Sequence, residues 1–374
     1  MGGRALTAAP PPRSSAGQTL DWDGATHTVE ELTEASFAGV DIALFSAGGS
    51  ISKKFGPLAS AAGATVVDNS SAFRMDPAVP LVIPEVNPGA MAGMRAGKGG
   101  IVANPNCSTI IALMAVTPIH RAVGVKRMVV STYQAASGAG QVGRGGGGGS
   151  GGGRGARRRR RRRRRRPARP RPALSGRHGR AGAADAGGAG RQAGDDEHLP
   201  VPGQGRGRGR GGGGGVQLAP TPPRPLPTPQ YAFNLFSHNS PMTPNGYNEE
   251  EMKLVKETAK IWGTDGVAIT ATCIRVPVMR AHAESINLEL EAELDEADAL
   301  RILASAPGVT VLDDRAANRF PTPLDASNRD GVFVGRVRRD ISRRDKKGID
   351  LFVCGDQIKK GAALNAVQVA ELLL

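Results

Sequence analysis

A chain of 374 residues has room for two domains with cores of their own, and its formal charge of +15 suggests a nucleic-acid partner at first sight. The charge is local: residues 142–230 hold 21 arginines, no lysine and 4 acidic residues, a net +17, which leaves −2 for the rest. That remainder is nearly neutral and soluble. Its three scattered cysteines, Cys107, Cys273 and Cys354, and the lack of an apolar run of ~18 residues exclude a disulfide framework, a CxxC zinc site and a spanning helix.

The first residues, MGGRALTAAPPPRSSAG, lack the apolar core of a secretory signal and read as the start of a truncated gene model. From residue 28 the pattern alternates in the α/β manner. A buried strand is expected over 40–46 (VDIALFS), a helix over 51–62 and a strand over 65–69 (TVVDN). Short strands follow at 81–83 and 100–103, then a long apolar helix over 108–121 and a strand over 126–133. Together these read as half of a doubly wound parallel sheet, with sites at the carboxyl ends of its strands.

After residue 230 the pattern changes to α+β. A helix over 248–262 has Asn248 as its cap and Glu249, Glu250 and Glu251 in its first turn. Strands are expected over 266–277, 282–290, 331–338 and 349–354, with helices over 294–305 and 362–373. The organisation is thus an incomplete Rossmann-like domain (1–141), a disordered Arg/Gly/Pro-rich segment (142–230), a substrate-binding and dimerisation domain (231–357), and a C-terminal helix (358–374) returning to the first domain.

The chemistry centres on PNCST (105–109). A cysteine between a Pro-Asn turn and a helix sits at the positive end of that helix, which is expected to pull its thiol from about 8.5 toward thiolate. Taken alone, Cys107 reads as a buried structural residue, and its surroundings reverse that reading. FSAGGSIS (45–52), DNSSAFRM (68–75), QAASGAG (134–140), NEEEMK (248–253), RVPVMRAH (275–282) and KKGAALNAVQ (359–368) accompany PNCST in family order. On these seven motifs, spread over 28–141 and 231–374, the chain resembles the bacterial and plant type of aspartate-semialdehyde dehydrogenase.

The resemblance implies an NADP-dependent oxidoreductase that reduces L-4-aspartyl phosphate to L-aspartate 4-semialdehyde through a cysteine thioester. That step serves lysine, threonine, methionine and isoleucine biosynthesis. It implies Cys107 as nucleophile, His282 as general acid/base with a free pKa of about 6.5, and Gln134 as the residue orienting the intermediate. Arg275 is implied as the clamp on the substrate carboxylate, Glu250 as the holder of its ammonium, and Arg74 and Lys253 as the phosphate cations. The implied cofactor contacts are Arg13, Ser14, Ser46, Ala47 and Gly48, with Ser137, Gly138 and Gln357 on the nicotinamide side. A homodimer or homotetramer is implied, with no metal, no membrane and no specific nucleic acid, and the plant likeness implies a plastid. On their own, Glu250 and Lys253 would be a surface ion pair and His282 a structural histidine, whereas Arg275 in an apolar strand needs a partner. Cys273, Cys354 and His120 read as packing residues.

Two departures from the family lead to an expectation of low or no activity. The opening strand and glycine-rich turn that cradle a pyrophosphate are not seen, and the glycines at 143–153 follow no strand. The second departure is the 142–230 block. Back-translated and shifted by one nucleotide, its 191–203 stretch can read GKPATTNIFPFQ, a family-like string, so retained introns around an out-of-frame exon are expected. The rival class is a nucleic-acid-binding protein using the arginine tract, but no aromatic residue lies in that block to stack on bases. A reductase for N-acetylglutamyl phosphate is the other alternative, and Glu250 argues against an acetylated amine.

Overall fold

The computed structural model describes residues 5–8, 16–137 and 229–374. Of the segment 142–230, all but its last two residues lies outside the described residues, as do Arg13, Ser14 and Gly138. Four parallel strands form the first sheet: β1 (Ala5–Ala8), β4 (Ile42–Phe45), β5 (Thr65–Asp68) and β6 (Ile101–Ala103), side by side in that order. The strand β1 and the antiparallel hairpin of β2 (Thr19–Trp22) and β3 (Ala25–Thr28) are additions to the sequence expectation. Helix α1 (Gly49–Ala61) connects β4 to β5. Residues 81–83, expected as a strand, make only a single bridge from Leu81 to Ala103.

Helix α2 (Cys107–Val123) follows β6 and leads into β7 (Val125–Gln134). The sequence placed this last strand with the parallel sheet, and the structure corrects that. It lies inside a seven-stranded mixed sheet, antiparallel to β10 (His282–Leu290) and parallel to β9 (Ala268–Arg275). A strand's alternation shows which face is buried but not which neighbour it will pair with, so the period alone could not assign β7. The sheet is completed by β8 (Phe236–Ser237), β11 (Val309–Val311), β12 (Val332–Arg339) and β13 (Gly348–Gly355), in the order β11-β12-β13-β10-β7-β9-β8. Helices α3 (Glu249–Trp262), α4 (Glu296–Ala304) and α5 (Pro323–Ala326) belong to this half. The chain ends in a π-helical turn, Lys359–Ala363, running into α6 (Leu364–Glu371).

Helix α2 is buried on nearly every side, from Ser108 through Thr117 and again at Ile119. Its Ile110, Ile111 and Leu113 share one core with Met128 of β7, Ile286 of β10, Val334 of β12 and Leu351 of β13. At about 1.5–3 kcal/mol for each fully buried aliphatic side chain, this helix is fixed by packing rather than by propensity. The parallel sheet is covered on two sides. Phe37, Phe45, Phe55 and Val66 form one cluster, and Val67, Val82 and Val102 meet Ala366, Val369 and Leu373 of the C-terminal segment in another. Two-sided burial is what parallel strands require, and it explains why all four positions of β5 are buried without alternation.

Candidate active site

Cys107 is the first residue of α2, just past the carboxyl end of β6. Its helix is capped by Asn106, whose Oδ1 accepts from the Ser108 amide at 3.0 Å and the Thr109 amide at 3.4 Å. These bonds occupy two first-turn N–H groups and set the direction in which the helix leaves the sheet. From the facing sheet, His282 at the start of β10 brings Nε2 to 3.4 Å from the Cys107 sulfur. Its other nitrogen, Nδ1, accepts from the Ala135 amide at 3.0 Å, so the neutral ring carries its hydrogen on Nε2, toward the sulfur.

A cavity of about 360 Å³ opens at Cys107, with Arg74, Gln134, Glu250, Lys253 and Arg275 in its lining. Gln134 ends β7, and its amide donates to Ser108 Oγ (3.1 Å) and Glu250 Oε1 (3.3 Å). Glu250 also accepts from Asn106 Nδ2 (2.9 Å) and pairs with Lys253 Nζ at 2.8 Å. Glu250 is buried and faces the nucleophile turn, so this pair is not the solvated surface bridge that i,i+3 spacing suggests in isolation. Arg275, at the end of β9, is 4 % exposed and donates Nη1 to the Ala135 carbonyl, while its Nε has no partner among the described residues. Arg74 is likewise buried with an unpartnered Nε. Two buried guanidiniums with spare donors suit an anionic ligand.

The electrostatics correct two expectations. Burial pushes the Cys107 thiol up to about 12, with Glu250 adding to the rise and Arg74 and Arg275 opposing it. The helix terminus therefore does not yield a resting thiolate, because desolvation of the sulfur is the larger effect. Burial, with Arg275 beside it, pushes His282 down to about 3, well below the near-neutral value the sequence suggested. An imidazolium would also turn an Nδ1 hydrogen onto the Ala135 N–H. Burial alone would raise Glu250, but Lys253, His238 and the hydrogen bonds from Lys253 and Asn106 bring it down to about 2. Glu284 is fully buried and pushed well above the ordinary carboxylate range by burial, against the pull of the Ser108 hydroxyl.

Several lining residues were not singled out in the sequence. His238, Asn239 and Ser240 border the cavity. Burial, Arg275 and Lys253 lower His238 to about 4 against the pull of Glu250. Glu257 lies one i,i+7 step from Glu250 on α3, and that spacing of two acids on one helix face was the available signal. Cys273 and Cys354 are buried in packing clusters. His120 stacks on Trp262 with centroids 4.2 Å apart and accepts the Val125 amide, a structural role like the one expected.

A semialdehyde dehydrogenase NAD binding domain matches residues 6–94, and a semialdehyde dehydrogenase dimerisation domain matches residues 179–360. The aspartate-semialdehyde dehydrogenase of Synechocystis is 42% identical over 360 residues, covering 96% of this chain and 86% of that one. The chain belongs to the aspartate-semialdehyde dehydrogenase family. The Aquifex aeolicus member is 39% identical, again over 96% of this chain and 87% of its own. Among solved structures, aspartate semialdehyde dehydrogenase II of Vibrio cholerae superposes with a TM-score of 0.71 at 34% identity, covering 97% of this chain and 88% of that chain. The same Vibrio enzyme in complex with ASA gives 0.70. These named relatives are bacterial, and none of them supports the plastid location. Among the described residues no helix is long and apolar enough to cross a membrane.

Membership of this dehydrogenase family brings a nicotinamide dinucleotide as cofactor class, and the residues present can be tested against it. Ser46, Ala47 and Gly48 form the turn between β4 and α1, at the carboxyl edge of the parallel sheet. Gly48 has φ +89, a Cβ there would meet nothing within 4 Å, and no side chain caps the helix that follows. An open turn with uncapped N–H groups fits the anionic part of a dinucleotide. On the other side, Gln357 Nε2 donates to Ser137 Oγ at 2.7 Å and Gln357 Oε1 accepts the Ala281 amide, next to His282. The structure thus brings Cys107, Gln134, Arg74, Glu250, Lys253 and Arg275 to one cavity with His282 against the sulfur, while Ser46–Gly48 lie on the same carboxyl edge of the parallel sheet as Cys107, two strands away.

Proposed function

We propose that the chain reduces L-4-aspartyl phosphate to L-aspartate 4-semialdehyde with NADPH, and runs the reverse reaction when aldehyde, phosphate and NADP are supplied. The observation that carries this reading is Cys107 at a helix start, 3.4 Å from His282 and inside a cavity with two buried arginines. Arg275 clamps the substrate carboxylate, and Arg74 and Lys253 receive the phosphate. Lys253 and Glu250 are paired at 2.8 Å. Substrate binding exchanges that pair for Lys253 on phosphate and Glu250 on the substrate ammonium, so no buried charge is left alone.

An ammonium on Glu250 also offsets one of the three influences, burial, Glu250 and Glu284, that raise the Cys107 thiol. The sulfur then attacks the acyl carbon, a C–S bond forms, the C–O bond to phosphate breaks, and the thiol proton leaves on the phosphate. A nicotinamide held beside Ser137 and Gln357 would supply the hydride that reduces the thioester carbon. Nε2–H of His282 points at the sulfur and can donate a hydrogen bond to the oxyanion as it develops; collapse of the adduct then breaks the C–S bond and releases the aldehyde, and one proton taken up from water restores the Cys107 thiol. NADP rather than NAD is supported by the likeness of the residues around Arg13 and Ser14 to the family segment that reads the 2′-phosphate. The dimerisation-domain match supports a homodimer or larger assembly.

Phosphate-dependent NADPH formation from aspartate semialdehyde is the assay. Cys107→Ser should lower turnover by roughly 10⁴-fold or more with little change in melting temperature. Turnover that survives this replacement would end the thioester reading. The same assay reads the low activity expected from the sequence departures.

A further inference from the structure

Glu257 is among the buried carboxylates that have no role in that scheme. Glu257 on α3 is 1 % exposed, and its two oxygens serve two separate pieces of the site. Oε1 accepts from Arg74 Nη1 at 3.1 Å, and Oε2 accepts from the main-chain N–H of Asn106 at 2.6 Å. Arg74 comes from the loop after β5, and Asn106 caps the nucleophile helix. Among the described residues, the only other bond on the Arg74 guanidinium is Nη2 to the Asn69 carbonyl at 3.0 Å, and Nε has no partner. Glu257 therefore decides which edge of the guanidinium remains for an anion. Two helical turns earlier, Glu250 holds the Asn106 side chain. One face of α3 thus grips the residue before the nucleophile by both its main chain and its side chain.

Resting on the proposed function, we infer that Glu257 is a positioning residue that keeps Arg74 turned to receive phosphate in register with Cys107. Its carboxylate weakens the net attraction of Arg74 for an anion, and in return it fixes the planar donors in one orientation. A carboxylate present only to stabilise the fold would have no reason to sit on a phosphate-binding cation and on the nucleophile turn at once. Glutamine cannot replace it, because its amide must point a donor at either Arg74 or the Asn106 N–H.

The test is Glu257→Gln. The KM for inorganic phosphate should rise on the order of tenfold, the worth of one charge-assisted hydrogen bond, while the KM for the aldehyde stays within about twofold. Inorganic phosphate should also raise the melting temperature of the wild-type protein and lose most of that effect in the variant. This second readout needs no turnover, so it judges Glu257 even if the proposed activity fails. Where Glu257→Gln does not fold, Glu257→Asp and Arg74→Lys take its place. Each should show the same phosphate-selective loss, and their combination should be much less than additive. Equal rises in both KM values, a melting loss with the phosphate KM unchanged, additive losses in the double variant, or no protection of wild type by phosphate would each overturn the inference.

Discussion

At the scale of single residues, the site is built by desolvation more than by the helix terminus the sequence pointed to. Both members of the Cys107–His282 pair are held neutral, the thiol pushed up to about 12 and the ring down to about 3, in each case first by burial. Linkage turns this into a stability statement. His282 ordinarily titrates at 6.5, so below that pH the unfolded chain takes up a proton that the folded chain refuses. Its contribution to stability is complete above 6.5 and is lost as pH falls toward 3. The urea-derived stability gap between wild type and His282→Asn should therefore narrow from about pH 7 to about pH 5. A gap that held constant or widened would show that the folded ring accepts a proton, and with it that the Ala135 amide does not fix the tautomer.

At the scale of elements, the position of Cys107 depends on two helix ends meeting. The π-helical turn Lys359–Ala363 passes so close to α2 that a Cβ added at Gly361 would lie 3.0 Å from the Cys107 Cβ and 3.4 Å from its Cα. Wider π turns of this kind recur at functional sites because they bring backbone where an α-helix would not. Gly361→Ala should therefore cost about 1–3 kcal/mol by overpacking and lower kcat by displacing the nucleophile a few tenths of an ångström. Denaturant titration and steady-state rates read the two effects, and a variant with both unchanged would show that the two ends have slack between them. Such contacts mark the limit of what was legible in the sequence. The PNCST turn announced the nucleophile, and Asn248 with the acidic first turn announced the start of α3, because both signals are local; that Asn248 and Glu251 cap each other reciprocally came from the structure. The sheet in which β7 pairs, the burial that reverses the thiol shift and the grip of Glu257 on Arg74, 183 residues away, are tertiary facts with no local pattern to carry them.

For the whole molecule, the C-terminal segment is what ties the mixed sheet to the parallel one. It leaves β13, passes Asp356 and Gln357 beside the site, turns at Gly361 against Cys107, and lays α6 on Val67, Val82 and Val102. Lys360 lies within that turn and is fully buried, its ammonium bound to both oxygens of Glu85 (2.7 and 2.6 Å) and to Gln368 Oε1 (2.7 Å). Burial lowers its pKa against the upward pull of Glu85, the signature of a charge taken out of water and kept by its partner. Removing one member of such a pair strands the other, so Lys360→Met should destabilise by about 3–5 kcal/mol. Glu85→Gln should cost similarly, because it leaves a buried ammonium with neutral amide acceptors in place of a carboxylate. Lys360→Met combined with Glu85→Gln removes both charges and should recover much of the loss, giving a coupling well outside additivity. If the pair clasps α6 to the sheet, hydrogen exchange in Lys360→Met should accelerate first in α6 and in β5 beneath it, with the mixed sheet still protected. Uniform exchange across both sheets, or additive losses in the double variant, would mean that the apolar contacts of Ala366, Val369 and Leu373 hold the clasp without the ion pair.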